Sequence, residues 1–165
     1  MDFLSPLLEE KEDCRFIGQH EKYIFPLLRK RRYFSSAKTF RLFEVHDTRN
    51  KRISAVYAYS NQYQEHYFLI VVNNSSHKSS IHFQHTYPTR TKKEGPIQYS
   101  FLDLFPSVGL GFQLMCQEIR TGEKYSFSRK QIEQTGLFFD LKPYQHWVFE
   151  LTWNKEPAGN SETSR

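Results

Sequence analysis

With 165 residues the chain suits one domain that can bury a core, and a net charge of +5 is too mild to indicate a dedicated polyanion-binding protein. Aromatic residues reach 16%, which favours β-strands over a charged helical bundle. Two cysteines imply no disulfide framework and favour a reducing compartment, so we expect a cytoplasmic protein.

Residues 1–36 have a helical pattern. The opening letters, MDFLSPLLEEKEDC, turn acidic early and lack the basic start of a secretory signal. No apolar run approaches the length of a membrane span, so we predict no membrane partner. A helix is predicted from His20 to Phe34, with an apolar stripe formed by Tyr23, Ile24, Leu27 and Leu28.

From residue 37 onward the hydrophobic period becomes that of strands. Seven or eight short strands, separated by turn residues, predict a β-sandwich or barrel over 37–153. Residues 154–165 are predicted to form a disordered tail. The predicted strands are 40–46, 53–60, 65–73, 79–85, 112–120, 136–141 and 145–153, with a weaker one at 97–101.

The most apolar run, residues 67–72, follows a polar turn after strand 53–60 and predicts a hairpin. Its alternate side chains point to opposite faces, and both sets are apolar. Both faces of the sheet therefore need a cover: a second sheet on one side, and on the other a domain outside this chain. We predict a core that includes Phe68, Ile70, Val72, Leu137, Phe139, Trp147, Phe149 and Leu151.

Strands 136–141 and 145–153 are joined by a short turn at Lys142 and Pro143. The spacing predicts that they pair as a closing hairpin.

Three stretches in this order resemble one known family. VYAYSNQYQEHYFLIVVNNS and GLFFDLKPYQHWVFEL resemble two hairpins of the C-terminal domain of α-amylase-family glycoside hydrolases. HEKYIFPLLRKRRYF resembles the last helix of the (β/α)₈ barrel that precedes that domain. The match covers most of residues 20–151.

The resemblance implies an antiparallel Greek-key sandwich that packs against a catalytic barrel, in cis or in trans. The family's catalytic carboxylates lie in the barrel, and no pattern here has the length of one. We therefore expect a non-catalytic accessory domain that stabilises the barrel and possibly contacts an α-glucan.

Candidate catalytic and metal-binding groups all have plainer interpretations. His46-Asp47 precedes a turn and is interpreted as turn-forming. His82 and His85 are three apart on a strand, which predicts opposite faces and no shared metal. No phosphate-cradling glycine loop is present, so no cofactor is predicted.

Flat aromatic side chains suit sugar rings, and four aromatic residues are candidates for binding a sugar. Tyr57 and Tyr59 share a strand face and are predicted to be core, which leaves Tyr63 and Trp153 as an exposed carbohydrate-binding pair. One alternative is therefore a free-standing carbohydrate-binding module.

Another alternative is a basic interaction protein, since residues 29–32 are all basic. We interpret these residues as a solvated helix end and predict no nucleic-acid partner.

Overall fold

The computed structural model describes residues 14–90 and 95–156. Its helical elements are α1 (Cys14–Gln19), a π-helical turn (His20–Ile24), α2 (Phe25–Arg29), a 3₁₀ turn (Arg31–Phe34), a second 3₁₀ turn (Phe101–Leu104) and α3 (Arg129–Thr135). Its strands are β1 (Arg41–Phe43), β2 (His46–Asp47), β3 (Val56–Tyr63), β4 (His66–Asn73), β5 (Ser79–Phe83), β6 (Thr89–Arg90), β7 (Pro96–Ile97), β8 (Phe112–Glu118), β9 (Lys124–Ser128), β10 (Leu137–Leu141) and β11 (His146–Lys155).

Two antiparallel sheets form a β-sandwich, as predicted. The large sheet has the order β1-β3-β4-β11-β8-β9, and the small sheet has the order β10-β5-β2. The chain passes between the sheets several times, since β2, β5 and β10 lie in the small sheet, and the last strand, β11, inserts between β4 and β8 of the large sheet. Such a non-sequential order of antiparallel strands is that of a Greek-key sandwich. A separate ribbon pairs β6 with β7.

The apolar run of β4 is covered on both faces, as its sequence requires. Leu69 and Val71 face the small sheet and belong to the inner core, whereas Phe68 and Ile70 belong to a second cluster on the outer face. The predicted hairpin is present, because β3 pairs antiparallel with β4 from Val56 opposite Asn73 to Tyr63 opposite His66. The strand's two apolar faces thus correspond to two separate cores.

The inner core lies between the two sheets, and aromatic side chains fill it. Phe139 of β10 contacts Phe149 and Trp147 of β11, with ring centroids 5.4 and 5.7 Å apart. Toward the other end of β11, the 3₁₀ turn 101–104 and Phe105 cover the same face in place of the small sheet. The inner face of the large sheet is therefore covered partly by the small sheet and partly by a loop segment.

The predicted core residues are divided between the two clusters. Seven are buried: Phe68, Ile70, Leu137, Phe139, Trp147, Phe149 and Leu151. Phe68 and Ile70, however, pack on the outer face rather than between the sheets, and Val72 on that face is only partly buried. The prediction of one shared core for all eight residues was wrong, since alternate residues of β4 serve opposite faces.

The predicted closing hairpin is absent. β10 pairs with β5 in the small sheet, and β11 pairs with β4 and β8 in the large sheet. The turn at Lys142 and Pro143 is therefore a corner between sheets. Both adjoining strands carry a buried alternate face, so sequence alternation does not distinguish a corner from a hairpin.

Other element predictions also need correction. Residues 101–104 form a 3₁₀ turn, where the sequence predicted the end of a weak strand. Strand β9 and helix α3 were not predicted. Strand β11 extends to Lys155, so the first residues of the predicted tail are ordered, and 157–165 lie outside the described residues.

The helical segment, residues 14–34, approaches the sandwich through a π-helical turn. Pro26 stands in the first turn of α2, and as proline it has no backbone N–H to donate. Just before it, the Phe25 N–H donates to the His20 carbonyl, the longer span of a π-turn. Residues 1–13 of the predicted helical region lie outside the described residues. In the described ranges, no helix combines the length and apolar character that crossing a bilayer demands.

Candidate functional site

The end of the helical segment covers the outer face of the large sheet. Tyr33 is buried there, with its ring centroid 5.1 Å from that of Phe68 and 5.6 Å from that of Tyr63. Phe34 also contacts Phe68, at 5.2 Å, and Leu27 packs against the same cluster. The outer cover that the sequence assigned to another domain is thus partly supplied by the chain itself.

A small ionic network fixes the helical segment to β11. Lys30 Nζ lies 3.1 Å from Glu150 Oε2, and His66 Nδ1 lies 3.2 Å from Glu150 Oε1. Burial acts to raise the pKa of the Glu150 carboxyl, but the hydrogen bonds and charges of Lys30 and His66 together hold it below its ordinary value. Lys30 also lies over the rings of Tyr33 and Phe68. Part of the basic run is therefore used to attach the helix.

Among the described residues of the helical segment, five large apolar side chains are exposed, and one of them, Ile17, lies apart in α1. We call the other four the helical strip: Tyr23, Ile24, Phe25 and Leu28. They span the π-turn and the first residues of α2, adjoining Leu27, which packs on the sheet. Because neighbouring exposed apolar residues mark contact surfaces, this strip is the leading candidate for docking.

The outer face of the large sheet adds exposed aromatic residues beyond the helix. Tyr57 is 46% exposed and Phe40 is 43% exposed. Phe40 contacts the partly buried Tyr59, with ring centroids 5.4 Å apart. The prediction that Tyr57 is a core residue was wrong, although it shares the outer face with Tyr59 as expected.

The two residues predicted to bind carbohydrate lie on opposite faces of the large sheet. Tyr63 is part of the outer cluster and meets Tyr33 edge-on. Trp153 packs against the inner core and meets Phe105 edge-on, with centroids 5.4 Å apart. They cannot stack on one sugar ring, so they do not form a single platform.

Trp153 instead lines a cleft of about 330 Å³ at the end of the sandwich. A second cleft of about 330 Å³ adjoins it, since Tyr67 and Pro106 contribute to both walls. We call the two together the end groove. The polar and aromatic residues that line it are Arg41, Gln62, Glu65, Tyr67, Tyr99, Asp103, Phe105, Ser107, Thr152 and Trp153. Sequence reasoning found only Trp153, because the others come from separate turns and strands.

Asp47, the acidic member of the His46-Asp47 pair, is hydrogen-bonded within a turn. Asp47 Oδ1 accepts from the backbone N–H groups of Arg49 and Lys51, at 2.9 and 2.8 Å. The Lys51 bond is the leading cause that lowers the pKa of Asp47. This geometry confirms the turn-forming interpretation of the His46-Asp47 pair.

Glu118 is fully buried and closes the β8–β9 turn. Its carboxylate accepts from Arg120 Nε at 2.8 Å and from the backbone N–H groups of Arg120 and Thr121 at 2.7 Å each. Asp140 accepts from the hydroxyl of Ser80 on the neighbouring strand. These carboxylates hold turns and strands in place.

Three histidines line one small cleft beside the small sheet. His46, His82 and His85 line this cleft, with the His46 and His82 rings 5.7 Å apart. The prediction that His82 and His85 face opposite sides was wrong, because β5 ends at Phe83 and strand alternation does not extend to His85. Within residues 14–90 and 95–156, no group of three or more His, Cys, Asp or Glu side chains is arranged to hold a metal ion.

Comparison with known proteins adds no family assignment. No family model matches the chain, and no curated protein matches it.

Proposed function

We propose that this chain is a non-catalytic accessory β-sandwich domain of an α-amylase-like glycoside hydrolase, which packs against a (β/α)₈ barrel and stabilises it. The observation that carries the proposal is that the helical segment has two apolar sides, one packed on the sandwich and one exposed. It is attached to the sandwich through Leu27, Tyr33 and Phe34, and it leaves the helical strip exposed beside them. A helix that connects a barrel to a sandwich needs an apolar contact on each side.

The fold and the sequence motifs support the same role. Two of the motifs that resemble this family fall on the helical segment and on the β3–β4 hairpin, whereas the third falls on β10 and β11, which form a corner between the sheets and not the hairpin that the resemblance implies. Asp47, Glu118 and Asp140 are engaged in turns and strand contacts. The sparing use of cysteine fits a protein of carbohydrate metabolism in the cytoplasm.

The decisive experiment starts from the genomic DNA immediately upstream. We expect an open frame that encodes a (β/α)₈ barrel. The barrel, produced with this chain as a separate polypeptide, should co-purify with it in a one-to-one complex and unfold at a higher temperature than the barrel alone. Leu28→Glu should weaken the complex, because it places a charge in the proposed apolar contact. A barrel that neither co-purifies with the chain nor unfolds at a higher temperature in its presence would contradict the proposal, whereas an upstream region without a barrel would contradict only the arrangement in cis.

A second experiment concerns catalysis. The purified chain, incubated with soluble starch, pullulan and aryl α-glucosides, should release no sugar above the buffer control. Release of sugar that is abolished by Asp47→Asn would contradict the accessory role and restore the His46-Asp47 pair as a candidate catalytic site.

A further inference from the structure

The end groove combines exposed aromatic surface with hydrogen-bonding groups. Tyr67, Tyr99 and Trp153 are each partly exposed, and they are distributed over both clefts. Gln62, Glu65 and Ser107 lie between or beside them. Ligand sites typically pair apolar and aromatic walls with a few polar groups that fix orientation.

The rings of the groove are held in place by buried contacts. Phe105 is buried between two of them: its centroid lies 4.6 Å from that of Tyr67 and 5.4 Å from that of Trp153. Phe105 directly follows a 3₁₀ turn that begins with a capping box. In it, the Asp103 carboxylate accepts from the Ser100 backbone N–H, and the Ser100 hydroxyl accepts from the Leu102 backbone N–H. A site whose rings are fixed before binding loses less entropy when a ligand orders on it.

Two further contacts orient the remaining groups. The Tyr67 hydroxyl accepts from Gln62 Nε2 at 3.0 Å, and the Arg41 guanidinium lies 5.1 Å from the centre of the Tyr99 ring. The cleft lined by Arg41, Gln62 and Tyr99 is therefore pre-arranged in the same way as the cleft lined by Trp153.

The charges of the groove favour a neutral, hydroxyl-rich ligand. It contains the carboxylates of Glu65 and Asp103 and the single guanidinium of Arg41, although the whole chain carries +5. A phosphate-bearing polymer would meet two carboxylates, and like charges in contact are repelled. Hydroxyl groups can donate to carboxylates and accept from guanidinium and amide groups. The C–H faces of a pyranose ring can pack on the electron-rich face of an aromatic ring.

We propose that the end groove binds a linear, neutral gluco-oligosaccharide, with one sugar stacked against Trp153 and the chain continuing past Tyr67 toward Tyr99. The choice of an α-linked glucan rests on the proposed function. The site itself rests on the groove's residues. Tyr63 has no part in it, since that ring packs against Tyr33 on the opposite face of the sheet.

The test is a titration of the isotope-labelled full chain with maltoheptaose, followed by NMR. The chain has two tryptophans and therefore two indole N–H signals. Trp153 lines the groove and Trp147 does not, so only the Trp153 signal should shift, in a saturable manner. Trp153→Phe assigns the signal by removing it, and cellohexaose in a parallel titration reports whether the linkage matters.

Variants test whether the ligand spans both clefts. Tyr99→Ala should weaken maltoheptaose binding by about tenfold, which is the loss expected for one aromatic contact. Trp153→Phe, followed by calorimetry, should retain most of the affinity because it keeps a ring. Tyr57→Ala is the matched control, since it removes an exposed tyrosine from the outer face and should leave affinity unchanged.

Several outcomes would overturn the site. These are an unchanged Trp153 signal with both oligosaccharides, equal losses for Tyr99→Ala and Tyr57→Ala, or equal shifts of both indole signals. A shift with cellohexaose alone would overturn the α-glucan assignment. Failure here is distinguishable from failure of the accessory role, because barrel association is measured in a separate experiment without sugar.

Discussion

Phe139 in the small sheet stacks on Phe149 in the large sheet, with centroids 5.4 Å apart and planes inclined by 19°. Phe139 also meets Phe83, Tyr125 and Trp147, so it is in contact with rings from both sheets. Its neighbour Phe138 points away from this core and is 41% exposed. Two adjacent phenylalanines of one strand thus have opposite roles.

The first prediction uses this pair. Phe139→Ala should lower the free energy of unfolding by about 3–5 kcal/mol, because it removes a large buried ring and leaves a cavity. Phe138→Ala should cost less than about 1 kcal/mol, as expected for an exposed position. Denaturant unfolding of the two variants measures both values. Similar losses for the two would mean that the strand does not have the described register.

The sandwich was predictable because its strands carry strong local signals. Alternation in β10 and the double apolar face of β4 follow directly from the two-residue period of a strand. The pairing of the strands was harder to predict, since β10 and β11 have the pattern of a hairpin and yet belong to different sheets. Helix α3 contains one buried residue, Ile132, so it lacks the apolar period that identifies a helix.

The candidate sites were still harder to predict. Trp153 was identified from its aromatic side chain alone, whereas its neighbours Phe105 and Tyr67 come from a loop and another strand. The pairing of Tyr63 with Trp153 failed because strand position alone does not say which face each side chain occupies. Sequence periodicity assumes a regular α-helix, whereas a π-turn precedes Pro26, and of the predicted apolar stripe only Leu27 packs on the sheet.

Gly136 supports the second prediction. Its φ is +76°, and a Cβ placed there would lie 2.4 Å from the Phe83 carbonyl oxygen. Gly136→Ala should therefore combine left-handed strain with a backbone clash and cost about 3 kcal/mol or more.

Gly122 is the matched control for this substitution. Its φ is +74°, but nothing lies within 4 Å of an added Cβ. Gly122→Ala should cost only the conformational strain, about 1–2 kcal/mol. Thermal and denaturant unfolding give the difference, which reports the clash together with any added strain from the ψ of −163° at Gly136. Equal losses at the two positions would show that Gly136 is not in contact with Phe83.

The third prediction concerns the buried carboxylate of Glu118. Burial acts to raise the pKa of this group, but the hydrogen bonds from Arg120 and Thr121, together with the Arg120 charge, lower it overall. A depressed folded-state pKa stabilises the protein above the unfolded value, and that contribution is lost as pH falls through the folded value. The free energy of unfolding should therefore decline from about pH 5 toward about pH 3.

Comparison with Glu118→Gln separates this carboxylate from the others. The variant should be less stable at neutral pH, and its stability should decline less steeply over the same acid range. The difference should persist at high salt, because buried ion pairs are screened less than exposed ones. Parallel curves for the two proteins would assign the acid sensitivity to other groups.

The last prediction separates the two sides of the helical segment. Leu27 packs against the outer cluster, whereas Leu28 is 55% exposed in the helical strip. Leu27→Glu should cost more than about 1 kcal/mol, because a charge would be placed among apolar side chains. Leu28→Glu should change stability by no more than about 0.5 kcal/mol.

The effects on self-association should be the reverse of the effects on stability: substitution of Leu28 should lower it, and substitution of Leu27 should not. The exposed strip favours association of the isolated chain, so Leu28→Glu combined with Ile24→Glu should lower the weight-average mass in sedimentation experiments and raise solubility. Leu27→Glu should not reduce association as long as the helical segment stays attached to the sheet. If the unmodified chain sediments as a monomer and Ile24→Glu unfolds it, the strip is packed on its own sandwich. The two-sided helix, and with it the main support for docking on a barrel, would then be lost.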